Sequence, residues 1–180
     1  MQEPVFESTG LALHSGDGFS WHGLMLRDTL SIVATRSKCM QSRIKWLDNL
    51  SFVGESDSGH SVVMDGSVEH GGRNLGVRPM EMVLLGLGGC SSIDVILMLK
   101  KARQDVSDCQ VLIEAERADA VPAVFTRIAL KFVVEGRNLS VRQVERVVSM
   151  SVEKYCSVTK MLESSVEISF ETEIVDIVDK

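Results

Sequence analysis

Aromatic side chains are scarce in this sequence: one Tyr, two Trp and six Phe among 180 residues. No block of Lys or Arg interrupts its net charge of −6. A nucleic-acid surface needs clustered cations and stacking rings, so these absences argue against one. A solvated acidic surface accounts for the charge. The longest uncharged apolar stretch, Met82 to Ile93, holds three glycines and is shorter than the roughly 20 residues of a bilayer span, so no membrane segment is expected. None of the four cysteines (39, 90, 109 and 156) belongs to a CxxC pair, and the four histidines (14, 22, 60 and 70) share no ligand spacing with them. A structural zinc site usually shows a close ligand pair, and a secreted disulfide scaffold is denser in cysteine. The expectation is therefore no structural metal site and a reducing, cytoplasmic compartment. Phosphate-loop, HExxH and GxSxG motifs are also missing, and Gly86, Gly88 and Gly89 fall within a helical pattern, so they form no dinucleotide fingerprint.

Hydrophobic residues make up 44% and charged residues 24%, enough for one globular domain with a real core. Residues 1–39 differ from the rest: they are rich in Ser, Gly, His and Thr and show no sustained period. They read either as a loosely ordered N-terminal arm or as sequence upstream of a true start at Met40, and not as a secretory signal, because no basic start or long apolar run is present. The domain is expected over 40–180.

From Met40 the patterning is regular. Arg43–Leu47, Leu50–Gly54 and His60–Met64 alternate apolar and polar residues and predict a three-stranded meander. Asp65 to Val77, with four glycines, reads as a mobile loop. Pro79 suits the first position of a helix, where a missing N–H costs nothing. The helix it opens is apolar on nearly every face, which predicts burial. Its three glycines cost about 1 kcal/mol each relative to Ala, so the close approach of another backbone is expected. Gln110–Glu116 and Val124–Glu135 read as strands, Ser140-x-x-Gln143 as a capping-box helix start, Ser157 as the start of a short helix, and Val166–Ile174 as a last strand with Val166, Ile168, Phe170 and Ile174 facing inward. The order strands, helix, strands, helix, strand is that of an α+β fold.

Cysteines offer the main chemistry. Cys90 lies mid-helix, where a free thiol often only fills space and where a reactive thiolate would need a cationic neighbour. Arg73 and Arg78, just upstream, are the candidates. Cys156 lies at a break between helical segments, where exposed N–H groups would lower its pKa; a packing role is the alternative. Cys109, beside Asp105 and Asp108, reads as structural with a raised pKa. Glu81 precedes Cys90 by nine residues, which at about 100° each places it on the opposite helix face, in a salt bridge at the N-terminus and not as a base.

The segment Arg78-Pro-Met-Glu-Met-Val-Leu-Leu-Gly-Leu-Gly-Gly-Cys90, together with Tyr155-Cys156-Ser-Val, resembles the OsmC family of hydroperoxide reductases, near its YhfA-like branch. The resemblance covers about Met40 to Val175. It implies an OsmC-like fold and an intertwined homodimer in which two central helices pack together and each site draws on both subunits. It also implies that Cys90 is the peroxidatic thiolate and Cys156 its resolving partner, with a lipoamide-like dithiol or small thiol as reductant. Three positions depart from the family: Met80 stands where Glu commonly follows the proline, Ser157 stands where Pro is common, and the activating arginine is Arg73, Arg78 or, on the first strand, Arg43. The rival reading is a non-catalytic protein that holds an apolar ligand near Cys90, and a third is a slow thiol sensor.

Overall fold

A computed structural model describes residues 40–177; the reading of the N-terminal arm lies outside the described residues. Three strands form first: β1 (Ser42–Asp48), β2 (Ser51–Ser56) and β3 (Ser61–Met64), an antiparallel sheet in sequence order, as the alternation predicts. Asn49 turns the chain between β1 and β2 in the left-handed region at φ 51, where a short polar side chain is tolerated. The Trp46 indole N–H donates to the Asn49 carbonyl at 2.7 Å and closes that turn. β1 is exposed along its whole length, including Ile44, Trp46 and Leu47.

The glycine-rich segment after β3 is more organised than its composition suggests. Asp65 is only 2% exposed, and its carboxylate accepts the backbone N–H groups of Gly66 at 2.8 Å, Arg73 at 3.2 Å and Leu75 at 3.0 Å. A 3₁₀ turn at Val68–His70 lies inside this wrap, and Val77 bridges back to Met64. Gly72 faces the Gly66 backbone so closely that no Cβ would fit, which is the physical reason for glycine there.

Helix α1 (Pro79–Lys101) begins at the proline and ends in two lysines that suit the negative end of its dipole. Leu87, Gly88, Ser91, Val95 and Leu99 recur at helical spacing and form its buried stripe. A second sheet comes next, with β4 (Asp105–Arg117), β5 (Phe125–Arg137) and β6 (Glu167–Asp176) in that order; β4 pairs antiparallel and β6 parallel to β5. β4 starts before the expected Gln110, because Asp105, Ser107 and Asp108 give its opening turn-like polarity although Asp105 and Asp108 pair with Arg137 and Glu135. The crossover from β5 to β6 runs through α2 (Val141–Met150), a π-helical turn (Ser151–Tyr155) and α3 (Ser157–Leu162). Ser140 does not form the expected capping box: its side chain makes no cap bond, and its N–H donates instead to Gln104 Oε1 at 2.8 Å.

The core joins one face of β5 (Ile128, Leu130, Phe132, Val134) to α1 (Leu87, Val95, Leu99) and α2 (Val144, Val147, Val148). By length and composition α1 could cross a membrane. Its packing on β4, α2 and α3 makes it the core helix of this fold. The expectation that it is buried all round is corrected, however. Leu85 (57%), Ile93 (62%) and Leu97 (61%) stand exposed on one face of the chain. A Cβ added at Gly86 or Gly89 would meet nothing, whereas one at Gly88 would strike the Ile113 side chain on β4. Among the described residues, packing thus explains Gly88 but not Gly86 or Gly89.

Asp65 generates the first prediction. Its three N–H donors hold the carboxylate below its usual pKa, that of Leu75 most strongly. The stabilisation is therefore complete above the unfolded value near 4 and is lost as pH falls through the depressed folded value. Asp65→Ala should unfold at lower urea than the parent at pH 7, and the two curves should converge towards pH 2; parallel curves at all pH values would contradict this role.

A candidate thiol-redox site

Cys156 sits where the π-helical turn hands over to α3. The turn closes with the Cys156 N–H donating to the Ser151 carbonyl at 2.8 Å, and Cys156 then leaves the helix with extended backbone at ψ 107. A π turn inserts an extra residue into a helical path and re-aims the residues after it, and such turns concentrate at functional sites. Here it turns the Cys156 side chain inward. The residue is fully buried and caps α3, its Sγ accepting the Thr159 N–H at 3.5 Å. The same sulfur lies 4.0 Å from the Leu87 carbonyl on α1.

That contact brings Cys156 to the helical turn that carries Cys90. Cys90 is half-buried at the edge of the core, and its thiol is close enough to act on the Cys156 pKa. Two cysteines remote in sequence thus meet as free thiols. The pKa of Cys156 is raised, against the expectation drawn from its place at a helix start. Burial is the larger cause; the Thr159 N–H opposes it, and Cys90, through its hydrogen bond and charge, adds to it. The helix start is real, but α3 is one short turn, and desolvation outweighs it. The Thr159 hydroxyl, buried without a full hydrogen-bond partner, leans the same way as its N–H.

The charged residues expected at the site lie elsewhere. Arg78 bonds Glu81 twice, through its backbone N–H and its guanidinium, both at 2.9 Å, so Glu81 has the N-terminal salt-bridge role expected of it. Twelve helical residues place Arg78 about 18 Å along the axis from Cys90, beyond the reach of its side chain. Arg73 pairs with Asp48 at 3.1 Å at the end of β1, and Arg43 pairs with Glu55 at 3.3 Å across β1 and β2. All three pairs are largely exposed and weak, so these arginines are lightly held. Within one chain none of them is paired with Cys90. Cys109, on β4 opposite Val134, has a pKa raised first by burial and then by Asp108; Cys39 lies outside the described residues.

Sequence reading missed the polar groups beneath the pair. Ser91 is fully buried and its hydroxyl donates to the Leu87 carbonyl at 2.9 Å. Ser151, also fully buried, donates to the Ser91 carbonyl at 2.9 Å. A serine in a helical pattern carries no signal of depth, so only the packing shows them.

The model of the OsmC-like protein family matches residues 71–171, a span that includes both cysteines. Protein YhfA from Escherichia coli strain K12 is 49% identical over 136 residues, covering 76% of this chain and 98% of its own. The crystal structure of a hypothetical protein from Aquifex aeolicus VF5 is 28% identical with a TM-score of 0.64, covering 76% of this chain and 98% of that one. The organic hydroperoxide resistance protein OhrB of Bacillus subtilis shares the fold at 15% identity, with a TM-score of 0.52 over 75% of this chain and 98% of its own.

The raised pKa of Cys156 sets the second prediction. Iodoacetamide alkylation of native protein, monitored residue by residue in a Cys90→Ser background, should leave Cys156 unmodified at pH 7.5, with a rate that climbs only above the ordinary thiol value near 8.5. Rapid labelling of Cys156 at pH 7 would show that the helix start outweighs burial.

Proposed function

Because the chain belongs to the OsmC-like family, we propose that it reduces organic hydroperoxides through Cys90 and Cys156, as a homodimer and in defence against oxidative stress. The observation that supports this reading most is the meeting of the two thiols, one half-exposed and one buried. The Cys90 thiolate attacks the outer oxygen of the peroxide; the O–O bond breaks, the alkoxide leaves as alcohol with a proton, and Cys90 becomes a sulfenic acid. The Cys156 thiol then attacks that sulfur, water leaves, and a disulfide remains. A lipoamide-like dithiol or small thiol takes up the disulfide by exchange and returns both thiols, which requires a reducing compartment such as the cytoplasm. Burial raises the Cys156 pKa, which suits a thiol that stays protonated until Cys90 has been oxidised. No cofactor enters these steps.

The homodimer supplies what one chain leaves open. Leu85, Ile93 and Leu97 form an apolar stripe on α1 with Gly86 and Gly89, whose missing side chains admit a second backbone. Burying three such side chains contributes about 1.5–3 kcal/mol each. A second subunit would also bring lightly held arginines from outside the chain to each Cys90. A non-catalytic role in binding an apolar ligand is the second reading, favoured by the absence of any ion pair or hydrogen bond from Arg43, Arg73 or Arg78 to Cys90 among the described residues.

One equivalent of cumene hydroperoxide should convert reduced protein to the Cys90–Cys156 disulfide within seconds, as mapped by mass spectrometry, and Cys90→Ser should abolish it. Free thiols after several minutes would favour the ligand-binding reading. The dimer has its own test, by sign. In an open helix face Gly86→Ala with Gly89→Ala gains about 1 kcal/mol per site, but against a second helix the new methyls clash. The double variant should sediment as monomer where the parent sediments as dimer; a dimer with a higher Tm would remove this face from the interface.

A further inference from the structure

Ser151 makes two hydrogen bonds that tie together the surroundings of the two thiols. Its hydroxyl donates to the Ser91 carbonyl, on the residue next to Cys90, at 2.9 Å. Its own carbonyl accepts the Cys156 N–H at 2.8 Å, the bond that closes the π turn. Both serines are fully buried, so a hydroxyl at either is costly unless it is bonded. The end of α2 does not need the Ser151 hydroxyl, because the Ser151 N–H already meets the carbonyls of Val147 and Val148. The hydroxyl bonds instead across to α1. The Leu87 carbonyl, which accepts the Ser91 hydroxyl at 2.9 Å, also faces the Cys156 sulfur at 4.0 Å. One turn of α1 thus receives Ser151 and Cys156 side by side, and carries Cys90.

A π turn is a rare, single-turn departure from the α-helical hydrogen-bond ladder. Left to α2 alone, the exit of that turn has latitude, while a disulfide tolerates little: its Cβ atoms must come within about 3.5–4.5 Å. We propose that Ser151 is a positioning residue that pins the π turn to α1 and so sets the effective concentration of Cys156 at Cys90. This rests on the two cysteines acting as a redox pair, but not on a peroxide being their oxidant.

The test uses the full chain, equilibrated in buffers of reduced and oxidised dithiothreitol. Protein dithiol and oxidised dithiothreitol exchange two electrons and two protons to give protein disulfide and reduced dithiothreitol, and the ratio is read by mass spectrometry. Ser151→Ala should lower the equilibrium constant about tenfold, which for this two-electron couple is a rise of about 30 mV in potential. Ser151→Thr, which keeps the hydroxyl, should stay within about threefold of the parent. Val144→Ala, which loosens the core without touching the turn, should leave the constant within about twofold. Should Ser151→Ala not fold, Ser151→Thr and Ser151→Val, alike in shape and different in the hydroxyl, make the same comparison. An unchanged constant in Ser151→Ala, an equal shift in Val144→Ala, or no Cys90–Cys156 disulfide in fully oxidised buffer would overturn the proposal. If the constants separate as stated while cumene hydroperoxide leaves the parent reduced, the peroxidase reading falls and the positioning role stands.

Discussion

A helix with apolar residues on every face has to find apolar neighbours on every side, and most of this fold results from that demand on α1. One face is met inside the chain: Leu87, Val95 and Leu99 lie among the β5 and α2 side chains, and Gly88 lets β4 approach through Ile113. To cover that face, the link from β5 to β6 crosses α1, which gives the parallel pairing of β6 and lays the π turn over the helix. Cys90 and Cys156 meet because of this crossover. The opposite face, with Leu85, Gly86, Gly89, Ile93 and Leu97, is left open by the described residues.

The site illustrates how two electrostatic effects of opposite sign are settled by magnitude. A short helix start offers Cys156 one N–H bond at 3.5 Å, to a sulfur that accepts hydrogen bonds only weakly. Full burial removes the water that would solvate a thiolate, and the desolvation is the larger effect. The result is a buried, protonated thiol beside a half-exposed one. That asymmetry suits a pair in which one sulfur meets the substrate and the other waits for it.

Many of the elements were readable residue by residue. The alternation in Val166–Ile174 marks a strand because a half-buried strand must alternate, that in Arg43–Leu47 marks β1 although both of its faces are exposed, and Pro79 marks the helix start because of its missing N–H. The place of Glu81 came from helical angle alone. The Asp65 wrap was not readable, since a loop carboxylate looks the same whether it meets water or three backbone N–H groups. Ser140 looked like a cap, but Gln104, far away in sequence, took the bond.

By itself, the sequence determined the local elements and the identity of the two cysteines, because periodicity, turn chemistry and motif are properties of neighbouring residues. Only the tertiary structure decided that Ser91 and Ser151 lie under the pair, that burial raises the Cys156 pKa, that Arg73 is engaged by Asp48, and that Leu85, Ile93 and Leu97 on α1 stay exposed. Each of these depends on groups brought together across the chain, and depth from water is a property of the assembled core that no local pattern encodes.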